Sequence, residues 1–140
     1  MPSVAKVGKP SLVTAVPPTS CNLSGLHAGE AIAAGDACYI KSADGLVYRS
    51  NGTVASDPSN VVDGFASSDC PLGGAISLYY GVRFAYGAGM TPGTFLYLDT
   101  VPGGLNTAPT AGGVAPIARV VPDYVNSTVG SRIEVKRSWA

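Results

Sequence analysis

Glycine and proline interrupt this chain so often that long regular elements are excluded. Of its 140 residues, 18 are glycine and 11 are proline, and the longest stretch free of both is the ten residues 131–140. A membrane-spanning helix needs about 20 consecutive apolar residues, and proline breaks a helix in its interior. The sequence therefore predicts neither a membrane span nor a coiled coil, and no membrane partner is expected.

The remaining residue types favour β-structure. Glu occurs twice and Gln not at all, whereas Val occurs 16 times, Thr nine times and Tyr seven times. Because β-branched and aromatic residues suit strands, we expect an all-β chain with one small β-barrel domain over residues 21–140. Asp44 and Gly45 separate two apolar runs and predict a hairpin, since this pair tolerates positive φ. The predicted strands are 37–41, 46–49, 61–66, 75–80, 82–86, 94–99, 117–121 and 132–136.

An internal repeat is the most informative pattern. Residues 32–40 and 90–98 share an apolar residue, a two-residue turn, a glycine, a polar residue and an apolar run with Tyr at the same place. The two copies lie 58 positions apart and predict a pseudo-symmetric barrel, in which each glycine turn leads into a strand. Cys38 corresponds to Leu96, so we expect its thiol to be buried as a small hydrophobic group.

The first 20 residues form a separate unit in this interpretation. Pro2, Pro10, Pro17 and Pro18 surround the β-like run 12–16. Proline removes a ladder donor and favours extended backbone, so residues 1–20 are predicted to be an extended arm that pairs along the edge of a neighbouring molecule. We expect the domain to fold without this arm.

Charge and chemistry exclude several classes of function. Nine basic and nine acidic side chains balance, so no basic field is available for nucleic acid. His27 is the one histidine, and no Cys or His ligand spacing or nucleophile motif accompanies it. No metal, cofactor or catalytic residue is predicted, and we do not expect an enzyme. The three cysteines follow no metal or disulfide pattern and no signal peptide is apparent, which indicates synthesis in a cytoplasm.

Aromatic residues suggest two kinds of contact. Trp139, next to the end of the chain, is expected to contact a neighbouring subunit together with Arg137, because a terminal Trp seldom fills its own core. Tyr79 and Tyr80 belong to a tyrosine-rich region that could stack on sugars. A carbohydrate-binding module is therefore one hypothesis for function.

Four segments resemble a known family. They are 28–40 (AGEAIAAGDACYI), 44–48 (DGLVY), 63–66 (DGFA) and 90–98 (MTPGTFLYL). Together they resemble the capsid decoration proteins of tailed bacteriophages, also called cement or head-stabilising proteins, over about residues 26–135. Cys38 departs from the aliphatic residue expected there, and the tail 138–140 has no counterpart.

The resemblance implies a structural protein on the outer surface of the expanded phage capsid. Such a protein bridges subunits of the major capsid protein, stabilises the head and often forms homotrimers. An N-terminal arm would reach onto neighbouring capsid subunits, and Trp139 and Arg137 would contact other copies of the chain. The arm residues expected to contact the capsid are Lys6, Lys9, Leu12, Val13 and Val16.

Overall fold

A computed structural model of the chain describes residues 3–4, 6, 10–12, 22–53, 58–86, 90–125, 128–136 and 138. These residues form eleven strands and one 3-10 turn, Pro58–Asn60, and no α-helix occurs among them. The all-β prediction is confirmed. No helix in the described part of the chain could span a membrane. The strands are β1 (Ser11–Leu12), β2 (Asn22–His27), β3 (Ala37–Ile40), β4 (Val47–Arg49), β5 (Gly64–Ala66), β6 (Ala75–Tyr79), β7 (Val82–Ala85), β8 (Phe95–Leu98), β9 (Leu105–Asn106), β10 (Ala118–Val125) and β11 (Thr128–Val135).

The strands make two antiparallel sheets. The first sheet has the order β2-β6-β5-β3-β4, and the second has the order β1-β7-β11-β10-β8-β9. Isolated bridges reach the far edges: Ala28, just after β2, bridges Val47, and Ser3 bridges Asn106. Between the described residues no continuous ladder closes either sheet, so a closed β-barrel is not found.

The two sheets have five strands in a comparable order, and one strand pair in each has the same register. The order β2-β6-β5-β3-β4 corresponds, strand by strand, to β7-β11-β10-β8-β9. In the first sheet Tyr39 pairs with Tyr48, and 58 positions later Tyr97 pairs with Asn106. The turns that precede β3 and β8 also match, since Gly35 and Gly93 both have positive φ, at 82° and 90°. The predicted hairpin at Asp44 and Gly45 is the β3–β4 pair.

The two faces of the first sheet pack into different cores. Cys38, Ala66 and Leu78 point into a first core, which they share with Ala28 and Val47. The alternate residues Ala37, Phe65 and Tyr79 belong to a second core, which continues into the second sheet. The rings of Phe65 and Phe84, one from each sheet, lie 6.3 Å apart between centroids. The first sheet is therefore buried on both faces.

Cys38 is buried, as predicted. Its side chain is fully buried in the first core, and it occupies the position that Leu96 has in the second sheet. Burial raises the pKa of the Cys38 thiol well above its ordinary value, and the nearby carboxylates of Asp36 and Glu30 add to that effect. The thiol is thus kept neutral and acts as a small apolar side chain.

The described residues of the N-terminal region contact their own chain, mainly at the second sheet. Ser11 and Leu12 pair with Ala85 and Phe84 on β7. At the opposite edge, the N–H of Val4 donates to the carbonyl of Leu105 at 2.8 Å. Pro10 is buried. A free arm is not found for these residues, which we call the N-terminal segment (Ser3, Val4, Lys6 and 10–12), and residues 13–20 lie outside the described part of the chain.

Candidate partner-binding face

Two buried carboxylates hold the N-terminal segment. Lys6 Nζ lies 2.6 Å from Asp36 Oδ1, and the other oxygen of Asp36 accepts the N–H of Ala33 at 2.9 Å. Asp36 follows the Gly35 turn, which directs its side chain inward at the entry to β3. The ammonium group of Lys6, predicted to contact a capsid, is therefore engaged within its own chain.

Asp99 is the second anchor. Its buried carboxylate accepts hydrogen bonds from Ser3 Oγ, from Asn106 Nδ2 at 3.1 Å and from the N–H of Thr100 at 2.8 Å. Burial raises the pKa of Asp99, but the hydrogen bonds from Ser3, Asn106 and Thr100 outweigh it and hold the pKa below the ordinary 3.8. The ionised form of Asp99 thus favours attachment of the N-terminal segment.

The structure places only two of the predicted contact residues. Lys6 lies on Asp36, and Leu12 lies in β1 opposite Phe84. The other predicted contact residues lie outside the described part of the chain, and their roles stay predictions. They are Lys9, Val13, Val16, Arg137 and Trp139.

A row of exposed side chains crosses the outer face of the second sheet. Arg83 on β7 pairs with Glu134 on β11, which pairs with Arg119 on β10, which pairs with Phe95 on β8. All four side chains are exposed. They alternate along their strands with buried residues, so the pleat directs them to solvent. We call these four residues the outer row.

Contacts within the outer row order its side chains. Arg83 Nε lies 3.6 Å from Glu134 Oε1, and the guanidinium carbon of Arg119 lies 4.9 Å from the centre of the Phe95 ring. Arg119 Nε also donates to the carbonyl of Gly93 at 3.3 Å. The cation–π contact and this hydrogen bond hold the Arg119 guanidinium over the Phe95 ring.

An open groove of about 270 Å³ runs beside the outer row. Pro116 and Val121 supply apolar surface, and Lys136 supplies a further cation. The outer row and Lys136 together carry three cations and one carboxylate, whereas the whole chain has a formal net charge of zero. This face is therefore more basic than the molecule as a whole.

Sequence reasoning did not identify the outer row. Glu134 and Lys136 are visible in the sequence only as charges near the end of the chain, and Phe95 as one aromatic residue among several. The pattern that could have indicated these positions is the alternation of exposed and buried residues along a strand, since Phe95 precedes the apolar Leu96 and Arg119 follows the apolar Ala118. Four strands far apart in sequence had to pair before these side chains formed one row.

The residues weighed for other functions lie apart from this face. His27 is exposed, with Nδ1 3.4 Å from the carbonyl of Gly73. In the part of the chain that the structure describes, no group of three or more His, Cys, Asp and Glu side chains is placed to hold a metal ion. Tyr79 is buried in the second core, where its ring is not accessible to a sugar, and Tyr80 is partly buried. The carbohydrate hypothesis thus loses one of its two stacking residues.

Comparison with known proteins gives no relative: no protein family, curated protein or solved structure matches the chain.

Proposed function

We propose that the protein is a structural virion protein that binds the outer surface of the expanded capsid of a tailed phage. It would bridge subunits of the major capsid protein and act as a decoration or cement protein, with a homotrimer as the favoured assembly. The observation that carries the proposal is the outer row, an exposed set of charged and aromatic side chains that contact one another on the second sheet. Such a surface suits adhesion to another protein.

The proposed mechanism is stabilisation by mass action. A ligand that binds the expanded lattice and not the dissociated subunits shifts the equilibrium towards the intact shell. An oligomer gains further, because its second and third contacts form at a high effective concentration once the first has formed. Each contact can then be weak while the assembled protein stays bound.

We also propose that the chain is a duplication of a five-stranded unit, each copy a small, incompletely closed barrel. Matched strand order and matched registers at a separation of 58 support this interpretation. In the first copy the chain reaches from β6 to β4 through β2 and Ala28. In the second copy the N-terminal segment makes the corresponding link, from β7 to β9.

This arrangement redefines the N-terminal arm. We propose that the N-terminal segment is part of the domain, and that contact with neighbouring capsid subunits falls to Lys9, Val13 and Val16. Trp139 and Arg137 keep their proposed contact between copies of the chain. Trp139→Ala should then lower the oligomer mass measured by light scattering, and an unchanged mass would remove Trp139 from the interface.

Co-sedimentation tests the proposed function directly. The purified protein is mixed with expanded, undecorated shells of the phage that encodes it and, as a control, with unexpanded shells. We expect saturable binding to expanded shells only, and a higher temperature of shell rupture when the protein is bound. Failure to bind expanded shells at micromolar protein concentration would reject the proposal.

A further inference from the structure

The outer face of the second sheet exposes an aromatic ring and an apolar groove, which a face that contacts only solvent does not need. Phe95 is about half exposed, at 47%, and the apolar residues Pro116 and Val121 line the groove beside it. At the corresponding positions of the first sheet, Ala37 and Phe65 are covered by the other sheet. The same face of the repeated unit is therefore a packing surface in the first sheet and is open in the second.

The charges around the groove define what could cover it. Glu134 lies beside Arg83, which offsets its negative charge. Arg119 and Lys136 line the groove and are both exposed. The surface that complements this face presents carboxylates towards the two cations and an apolar side chain towards Phe95.

We infer that this outer face is the docking surface for an acidic surface of a partner protein. Carboxylates of the partner meet Arg119 and Lys136, and an apolar side chain enters the groove beside Phe95. This inference deepens the proposed function and rests on it, since the acidic surface is then assigned to the major capsid protein. A protein fits better than a nucleic acid, because the groove walls are largely apolar, whereas phosphate binding relies on clustered cations.

Charge reversal on the face provides the test. The double variant Arg119→Glu with Lys136→Glu reverses both groove cations, while Lys41→Glu is the matched control in the turn after β3 of the first sheet. All three side chains are exposed, so we expect the variants to fold, and circular dichroism checks this. We expect shell binding at least about tenfold weaker in the double variant and within about twofold of wild type in the control.

The apolar part of the inference needs a separate variant. Phe95→Ala keeps the charge of the face and removes the exposed ring, and we expect binding to expanded shells to weaken by about threefold to tenfold. Equal binding of wild type, the double variant and Phe95→Ala to expanded shells would overturn the docking face while leaving the proposed function intact.

A second probe separates the two proposals. If wild type does not bind shells, the proposed function fails, and the face is tested with the hexapeptide Glu-Leu-Glu-Leu-Glu-Leu and a single-stranded dT oligonucleotide. NMR then measures the amide chemical shifts of Phe95, Arg119 and Lys136. Changes in these shifts when the peptide is added, which are lost in the double variant, would support an acidic protein ligand. No such shifts, or shifts with the oligonucleotide alone, would overturn the inference.

Discussion

The first sheet and five strands of the second have the same strand order, but they differ in what covers their corresponding faces. In the first sheet Phe65 pairs with Tyr79, and both rings are buried. The corresponding pair in the second sheet is Arg119 with Glu134, and both side chains are exposed. One backbone arrangement thus accepts aromatic or charged pairs, and what covers the sheet decides which of them is compatible with folding.

The interiors of the two sheets differ in the size of their side chains. Cys38 and Ala66 in the first core correspond to Leu96 and Val120 in the second. All four side chains are fully or almost fully buried. The first core is closed by the bridge from Ala28 to Val47, whereas the second core also receives residues from the first sheet and from the N-terminal segment. The first core should therefore tolerate loss of the N-terminal segment better.

Removal of residues 1–12 is the change with the largest expected effect. The deletion removes β1, exposes what Pro10 covers and leaves the buried carboxylates of Asp36 and Asp99 without Lys6 and Ser3. We expect a loss of more than about 4 kcal/mol in the free energy of unfolding, measured by urea titration. This reverses the expectation from sequence that the domain folds without residues 1–20. A deletion variant with a wild-type unfolding midpoint would support the original expectation that residues 1–20 are a free arm.

Matched truncations compare the two cores. Leu96→Ala removes one methine and two methyl carbons from the second core and should cost about 3 kcal/mol, while Cys38→Ala removes one sulfur and should cost about 1 kcal/mol. Both side chains are fully buried, so the difference reflects the volume removed. Chemical denaturation of the two variants measures it, and equal losses would contradict the assignment of these positions to separate, differently filled cores.

The paired turn glycines test the contact between the first sheet and the N-terminal segment. Gly35 and Gly93 both have positive φ, so alanine is strained at either position, by about 1 kcal/mol. A Cβ at Gly35 would lie 2.6 Å from Pro10 Cγ, whereas the nearest atom to a Cβ at Gly93 is Arg119 Nη2 at 3.7 Å. We expect Gly35→Ala to lower the free energy of unfolding by about 2 kcal/mol more than Gly93→Ala. Thermal unfolding of the two variants measures this difference in stability.

Acid should release the N-terminal segment. Because the pKa of Asp99 is lower in the folded protein than the ordinary 3.8, its contribution to stability is present above that value and is lost as the pH falls through the folded-state pKa. Asp99→Asn should remove this part of the acid dependence. The free energy of unfolding, measured between pH 6 and pH 2, gives the slope of stability against pH. Identical slopes in wild type and Asp99→Asn would show that the attachment of Ser3 does not depend on the charge of Asp99.

The smallest effect is expected on the outer row. Arg83 and Glu134 are more than half exposed and lie 3.6 Å apart, and such surface ion pairs contribute little to stability. Arg83→Ala should change the free energy of unfolding by less than about 0.5 kcal/mol. A larger loss would mean that the outer row supports the fold, which would weaken its assignment to binding.

Strands with strong local patterns were predictable, and those that depend on distant partners were not. The sequence located β3, β4 and the turn between them, because alternating apolar residues and an Asp-Gly pair act locally. It missed β2 and β9. β2 has Gly25 and a register shift in its middle, and β9 has only two residues, so neither shows a strand pattern of its own.

By itself the sequence determined the all-β class, the hairpin and the buried role of Cys38, since residue type and glycine spacing act through the backbone over a few positions. Only the tertiary structure decided that β6 and β7, two residues apart, belong to different sheets, and that Lys6 meets Asp36 within the chain. It also decided that Phe65 is buried while Arg119, at the corresponding position, is exposed. Burial depends on which surfaces cover each other, and that is set by pairings between residues far apart in the chain.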